Sequence, residues 1–228
     1  MSNINNSEYD KADFQGVYQG KTLIDSAEIK VVPWDIGKAQ PAISKVFDDE
    51  KPGKLLDVGC GLGQNAQAAA QKGFRVTAID SSSAAIERCK KSITEDINFL
   101  VANALATQLE EKFDIILDSA LYHAIPTNER VTYLKEMFRI AHAETKFHII
   151  TFAPEKYGMP LPLAIQLSEI CSNAEISGWS VTSVSRVEYK GNAAAIADFC
   201  KKKNLEIFLD DEGFTRLPCW HVTLKVRG

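Results

Sequence analysis

The run Leu55-Leu56-Asp57-Val58-Gly59-Cys60-Gly61-Leu62-Gly63-Gln64-Asn65 sets an apolar strand against a glycine-rich turn, and the turn against a helix. Glycines in such a turn let backbone bend sharply and approach a ligand, while the helix start behind it presents unpaired N–H groups. The residues that follow repeat the strand–helix alternation. Strands are predicted at 54–58, 74–79, 98–101, 113–117 and 146–152, the second and fourth closed by Asp80 and Asp118. Helices are predicted at 64–72, stopped by Gly73, and at 82–92, capped by Ser81 or Ser82. A further helix is predicted at 127–143, with Val131, Leu134, Phe138 and Ala141 on one face. This alternation implies an α/β domain with a parallel sheet covered on both faces by helices.

The flanks differ in character. Residues 1–12 are polar, whereas Phe14, Val17, Tyr18, Leu23 and Ile24 can pack on something. Pro33-Trp34-Asp35-Ile36-Gly37 reads as a turn carrying a large aromatic, and Pro41 stands at the start of a helix holding Ile43, Val46 and Phe47. Beyond the alternating region, Pro154, Pro160 and Pro162 make an irregular segment around Tyr157 and Met159. A helix is expected at 163–174, strands at 180–189 and 219–226, a helical stretch at 192–203 and a turn at 210–213. The chain thus divides into 1–50, 54–152 and 153–228, all within one domain.

A net charge of −4 disfavours non-specific binding to nucleic acid, and Lys201-Lys202-Lys203 reads as a solvated helix end. Cys60, Cys89, Cys171, Cys200 and Cys219 are scattered, with no CxxC pair and no Cys/His spacing suited to zinc, so no metal is expected. Their odd number fits a reducing compartment. With no signal-like N-terminus and no long apolar span, a cytoplasmic protein without membrane contact is expected, as a monomer or weak homodimer.

Two cofactor classes use a strand–glycine turn–helix unit, dinucleotides and S-adenosylmethionine (SAM). A dinucleotide fingerprint wants a third glycine where Gln64 stands. Asp57 at the strand end would sit poorly beside a pyrophosphate, yet it can order the turn or accept from the ammonium of a methionine moiety. Asp80 lies about 20 residues beyond the glycines, where a carboxylate takes ribose hydroxyls. Either cofactor presents that diol.

Taken together these residues resemble class I SAM-dependent methyltransferases. Residues 55–63 are similar to the family's first motif and Val76-Thr77-Ala78-Ile79-Asp80 to its second. Phe113-Asp114-Ile115-Ile116-Leu117-Asp118-Ser119 resembles the strand ending beside the transferred methyl. Pro33–Pro41 and Leu117–His123 sharpen the likeness to a small-molecule, thiopurine- or heterocycle-type subgroup. The resemblance implies a Rossmann-like, doubly wound seven-stranded sheet, mostly parallel with an antiparallel last strand. It implies SAM as cofactor, S-adenosylhomocysteine as product, and a small acceptor methylated on O, N or S. Around the cofactor it implies Asp57, Gly59, Cys60, Gly61, Gly63 and Asn65 from the turn, Asp80 and Ser81 from the second strand, and Asp118 from the fourth. Trp34 would cover the cofactor or the acceptor with an aromatic face, or simply anchor the core. Where relatives often carry an adenine-binding Asp, this chain has Ala102-Asn103-Ala104; the Asn103 amide can accept one such bond. Residues 190–217 are long for the usual hairpin and read as an inserted helix and loop, either over the acceptor or as a packing appendage.

Displacement at a sulfonium carbon needs alignment and dryness more than acid–base chemistry. Should the acceptor need a base, His123 is the candidate, on the loop leaving the fourth strand where ligands of open α/β sheets sit. Trp34, Tyr122, Tyr157 and Met159 would line the acceptor with it, whereas His142, His148 and His221 read as structural and Asp114 as tying a turn. The alternatives are a SAM-binding module without turnover and an NAD-dependent oxidoreductase; Gln64 and Asp57 speak against the second.

Overall fold

A computed structural model describes residues 14–21 and 32–228; the expectations for 1–12, Leu23 and Ile24 lie outside the described residues. The strands are β1 (Lys54–Val58), β2 (Arg75–Asp80), β3 (Ile97–Val101), β4 (Phe113–Ser119), β5 (Ala141–Phe152), β6 (Trp179–Tyr189) and β7 (Leu217–Val226). They form one sheet in the order β3-β2-β1-β4-β5-β7-β6. The first five are mutually parallel, and β7 runs antiparallel between β5 and β6. This is the Rossmann-like, mostly parallel sheet the sequence implies, and it puts the ends of β1, β2, β4, β5 and β6 on one edge.

The strand period of two sorts the apolar residues into two layers. Leu56, Val58, Ile116, Phe147 and Ile149 face helices α5 (Arg130–Arg139) and α6 (Leu167–Ile176). Leu55, Ile115, Leu117 and Ile150 face α2 (Pro41–Asp49), α3 (Gln64–Gln71) and α4 (Ser83–Ser92). Each large side chain so buried contributes about 1.5–3 kcal/mol. Trp179 is the largest, 1 % exposed, its indole N–H donating to the Leu134 carbonyl at 2.9 Å. A short α1 (Phe14–Val17) and α7 (Ala193–Lys203) complete the helices of the described residues. Among these residues no helix is long and apolar enough to cross a membrane.

Two helices begin on side-chain caps, the first at one of the expected serines. Ser82 Oγ accepts from the Ala85 amide at 3.2 Å, and Asn192 Oδ1 from the Ala195 amide at 3.2 Å. Asp114 does tie a turn, accepting from the Lys54 amide at 2.7 Å and meeting His142 Nε2 at 3.1 Å. His142, His148 and His221 all lie in strands.

Two predicted helices need correction. The one at 127–143 is a 3₁₀ turn at Thr127–Glu129 followed by α5, and Ala141 already belongs to β5. Tertiary pairing overrides helix periodicity there: the Phe113 amide donates to the Ile140 carbonyl at 3.1 Å, and the buried Thr145 hydroxyl donates to the Phe113 carbonyl at 2.6 Å. The buried face of α5 is consequently Tyr133, Leu134 and Met137, with Val131 and Phe138 only partly covered. The helix at 163–174 begins later, as α6, because Ile165 is spent on Phe152 and Trp220: its amide donates to the Phe152 carbonyl and its carbonyl accepts from the Trp220 indole.

Gly63 caps α3 at φ +78°, and a Cβ there would lie 2.8 Å from Ile93 Cδ1 and 3.1 Å from Cys89 Sγ. Gly63→Ala is therefore expected to cost about 1–3 kcal/mol from strain and overpacking, measured as a lower urea midpoint with unchanged slope.

Candidate active site

The turn after β1 is fastened to the end of β2. The Gly59 and Cys60 amides both donate to the Ile79 carbonyl, at 2.8 and 2.9 Å. The Gly61 amide donates to Asp80 Oδ2 at 2.9 Å, and Asp80 Oδ1 accepts from the Ser82 amide at 2.8 Å. Asp80 is 8 % exposed, and burial raises its pKa against these two amides. Each oxygen keeps a second acceptor position for a hydroxyl.

Asp57 stands beneath the turn, 1 % exposed, and neither carboxylate oxygen closes a hydrogen bond of ordinary geometry. Burial first, then the charges of Asp80 and Asp118, push its pKa up to about 7; the Ala66 amide at the start of α3 pulls the other way. A buried carboxylate is costly unless donors satisfy it, and a cationic donor is the chemistry that Asp57 suits.

Above the turn lie two aromatic residues from the N-terminal segment. A Cβ on Gly61 would meet the Tyr18 hydroxyl at 2.7 Å and the Trp34 Nε1 at 3.6 Å, so only glycine allows them this close. The Trp34 indole donates to the Tyr18 hydroxyl at 3.1 Å, the rings meeting edge-on at 6.0 Å. Burial and the Asp80 charge hold the Tyr18 phenol neutral.

A second aromatic group gathers at the ends of β5 and β6. His123 stacks on Phe152 with centroids 4.1 Å apart, and Phe152 meets Tyr189 edge-on at 6.3 Å. Ser119, at the end of β4, has a buried hydroxyl without a standard hydrogen bond, close enough to Tyr189 to lower its pKa against the rise from burial. His123 Nδ1 lies 3.3 Å from Thr151 Oγ1. Burial, with Arg130 nearby, lowers its pKa to about 3, so the ring is neutral and a poor proton acceptor at physiological pH.

The structure distributes the other sequence candidates unevenly. Asp118 is fully buried and spent internally: Oδ1 accepts from the Leu121 and Tyr122 amides at 2.8 and 3.2 Å, and Oδ2 from the Tyr133 hydroxyl at 2.7 Å. Tyr122 is also fully buried, its hydroxyl accepting from Asn173 Nδ2 at 3.0 Å, so it is core and not acceptor lining. Met159 is 7 % exposed within the α2–α4 layer, again a core position. Tyr157 packs on Phe208 of the 190–217 insertion at 4.5 Å. Gly63 serves packing, and Asn65 Oδ1 accepts from the Gln40 amide at 3.1 Å. Cys60 is a buried free thiol near the Gly61 carbonyl. Ser81 and Asn103 are exposed and Ala102 and Ala104 partly so, beyond β2 and β3; Asn103 Oδ1 accepts from the Leu105 amide at 2.9 Å. Among the described residues no group of three His, Cys, Asp or Glu side chains could hold a metal.

Residues 55–144 match the methyltransferase domain family. The chain carries a methyltransferase domain. The cofactor of that family is SAM, in keeping with the orphaned Asp57 carboxylate. The 2-heptyl-1-hydroxyquinolin-4(1H)-one methyltransferase of Mycobacteroides abscessus is 27 % identical over 199 residues, covering 82 % of this chain and 86 % of that one. A structure from work on conversion of a disulfide bond into a thioacetal group during echinomycin biosynthesis superposes with a TM-score of 0.77 at 23 % identity, over 94 % of this chain and 91 % of that one. The Burkholderia thailandensis 1,6-didemethyltoxoflavin-N1-methyltransferase, with its substrate and S-adenosylhomocysteine bound, has a TM-score of 0.59 at 18 % identity, over 82 % and 78 %. The structural likenesses establish the methyltransferase fold.

Tyr18, Phe152, Tyr189 and Ser119 were not among the site residues expected from the sequence. Tyr189 ends an alternating strand just before the insertion, a position that could have marked it. Tyr18 had only its apolar neighbours to announce it. In an NMR titration, the His123 ring is expected to keep its neutral-form shifts from pH 8 to about pH 4, since its pKa lies near 3. A midpoint between about 6 and 7, the ordinary range, would show a ring in contact with bulk water.

Proposed function

We propose that this methyltransferase methylates an O, N or S atom of a small planar heteroaromatic acceptor. The observation that supports the acceptor class is the stacked aromatic pair of His123 and Phe152 at the end of β5. Flat rings bind between aromatic faces at low entropic cost. The names of the quinolinone and didemethyltoxoflavin enzymes are in keeping with it.

When bound, SAM supplies a methyl group already activated by a positively charged sulfur. The protein's part is to hold, orient and keep dry. Asp57 would accept from the cofactor ammonium, the Gly59 and Gly61 backbone would lie along the amino-acid part, and Asp80 would take the ribose hydroxyls. Ser81, Ala102, Asn103 and Ala104 would border the adenine. Tyr18 and Trp34 would exclude water from above. Asp118 acts indirectly, fixing the loop that carries His123. His123 serves as a neutral wall and hydrogen-bond partner, so the chemistry favours acceptors ionised or nucleophilic without a strong base.

The test is a methyl-transfer screen with labelled SAM over 2-heptyl-1-hydroxyquinolin-4(1H)-one, phenols, heteroaromatic amines and alkyl thiols. Product from the planar heteroaromatics is expected. Transfer to alkyl thiols alone would overturn the acceptor class, and cofactor binding without any product would favour a SAM-binding module.

Asp57 also sets a pH dependence. Its carboxyl must be ionised to accept from an ammonium, so affinity for S-adenosylhomocysteine falls below its pKa of about 7, approaching about tenfold per pH unit. Affinity falls again above about 8, where the ligand α-amine loses its charge. Calorimetry should give tightest binding between these limits, with proton release near pH 6.5. Asp57→Asn should flatten the acid limb and weaken binding about tenfold or more.

A further inference from the structure

The insertion after β6 reads from the sequence as a cover for the acceptor or as a packing appendage, and its stem is bonded to the segment that carries Trp34. Gln40 is 3 % exposed. Its side-chain amide exchanges two hydrogen bonds with the backbone of Lys190, Nε2 donating to the carbonyl at 2.8 Å and Oε1 accepting from the amide at 2.9 Å. The Gln40 main-chain amide donates in turn to Asn65 Oδ1, on the helix that follows the glycine turn. One residue thus joins α3 to the first residue of the insertion.

The neighbouring bonds follow the same line. The Asn192 amide donates to the Pro33 carbonyl at 2.7 Å, and Gln64 Nε2 donates to Asp35 Oδ1 at 2.9 Å. Trp34 stands between Pro33 and Asp35, so its backbone is fixed from the insertion on one side and from α3 on the other. The approach is close enough that a Cβ on Gly191 would lie 3.1 Å from the Pro33 carbonyl oxygen. The stem itself is closed, the Gly191 amide donating to Thr215 Oγ1 and the Thr215 amide to the Gly191 carbonyl, each at 2.9 Å.

We propose that Gln40 is a positioning residue for cofactor binding: it moors residues 33–40, and Trp34 with them, to the insertion, whose stem thereby serves the cofactor side of the site. The proposal rests on the reading above that Trp34 covers the cofactor. Removing the Gln40 side chain leaves both backbone groups of Lys190 without those partners and loosens the segment that carries the indole, which keeps its bonds from Asn192 and Gln64. Gln40→Glu is the sharper substitution. It keeps the acceptor for the Lys190 amide but sets a second oxygen against the Lys190 carbonyl.

Two measurements test it. Hydrogen exchange without ligand should show amides 34–39 exchanging faster in both Gln40 variants than in the unsubstituted chain; unchanged exchange would overturn the mooring. Calorimetry with S-adenosylhomocysteine should show Gln40→Ala weakening binding about tenfold, the scale of one net hydrogen bond. That loss should vanish in a Trp34→Ala background, because the two residues act on one contact. Additive losses would mean Gln40 acts through general stability, and would overturn the positioning role. If the unsubstituted chain failed to bind S-adenosylhomocysteine, the cofactor reading would fall, and the exchange measurement would still decide the mooring.

Discussion

The end of β2 holds the site together. Its last two residues bind three consecutive backbone amides of the glycine turn, Ile79 through its carbonyl and Asp80 through its carboxylate. Without those bonds the turn would be a flexible loop carrying three positive-φ glycines. With them it is a rigid cradle whose open side is set by the pairing of β1 and β2. Everything placed above it depends on that cradle, including the Tyr18 hydroxyl, which fits only because residue 61 has no side chain.

The same edge gathers three buried carboxylates, Asp57, Asp80 and Asp118, at the ends of three adjacent strands. Burial raises the pKa of each, and the nearby charges of Asp80 and Asp118 add to the rise at Asp57. Their environments separate their roles. Asp118 accepts from a phenol and two amides, Asp80 from two amides, and Asp57 has only the Ala66 amide beside it, outside ordinary hydrogen-bond geometry. A site with that imbalance attracts a cation and repels a pyrophosphate. This electrostatic asymmetry separates a sulfonium cofactor from a dinucleotide more firmly than the residue at position 64 does.

Much of the fold was legible because local signals and tertiary demand agree from residue 54 onward. Lys54–Val58 is bounded as predicted, and Ser82 caps the helix it precedes. The signals failed where tertiary contacts took over. Ala141 keeps a helical spacing yet is drawn into β5 by Phe113. Tyr122 and Met159 look like acceptor lining by position, but neighbouring helices cover them. His123 was legible as a residue of the loop leaving β4, whereas the burial that holds its ring neutral arises only in the assembled fold. Gln40 was illegible: its partner lies 150 positions away, and no periodicity marks a polar side chain that will be buried by a distant backbone.

The sheet order carries a consequence for synthesis. β7 is made after β6 but lies between it and β5. A growing chain that has reached Tyr189 therefore holds a finished strand with no seat, its eventual neighbour still unmade. The parallel half can assemble as it emerges, whereas β6, the insertion behind it and the mooring of Trp34 must wait for β7 to arrive. For that interval the nascent molecule displays two unsatisfied strand edges, and it is then that a chaperone would find most to hold.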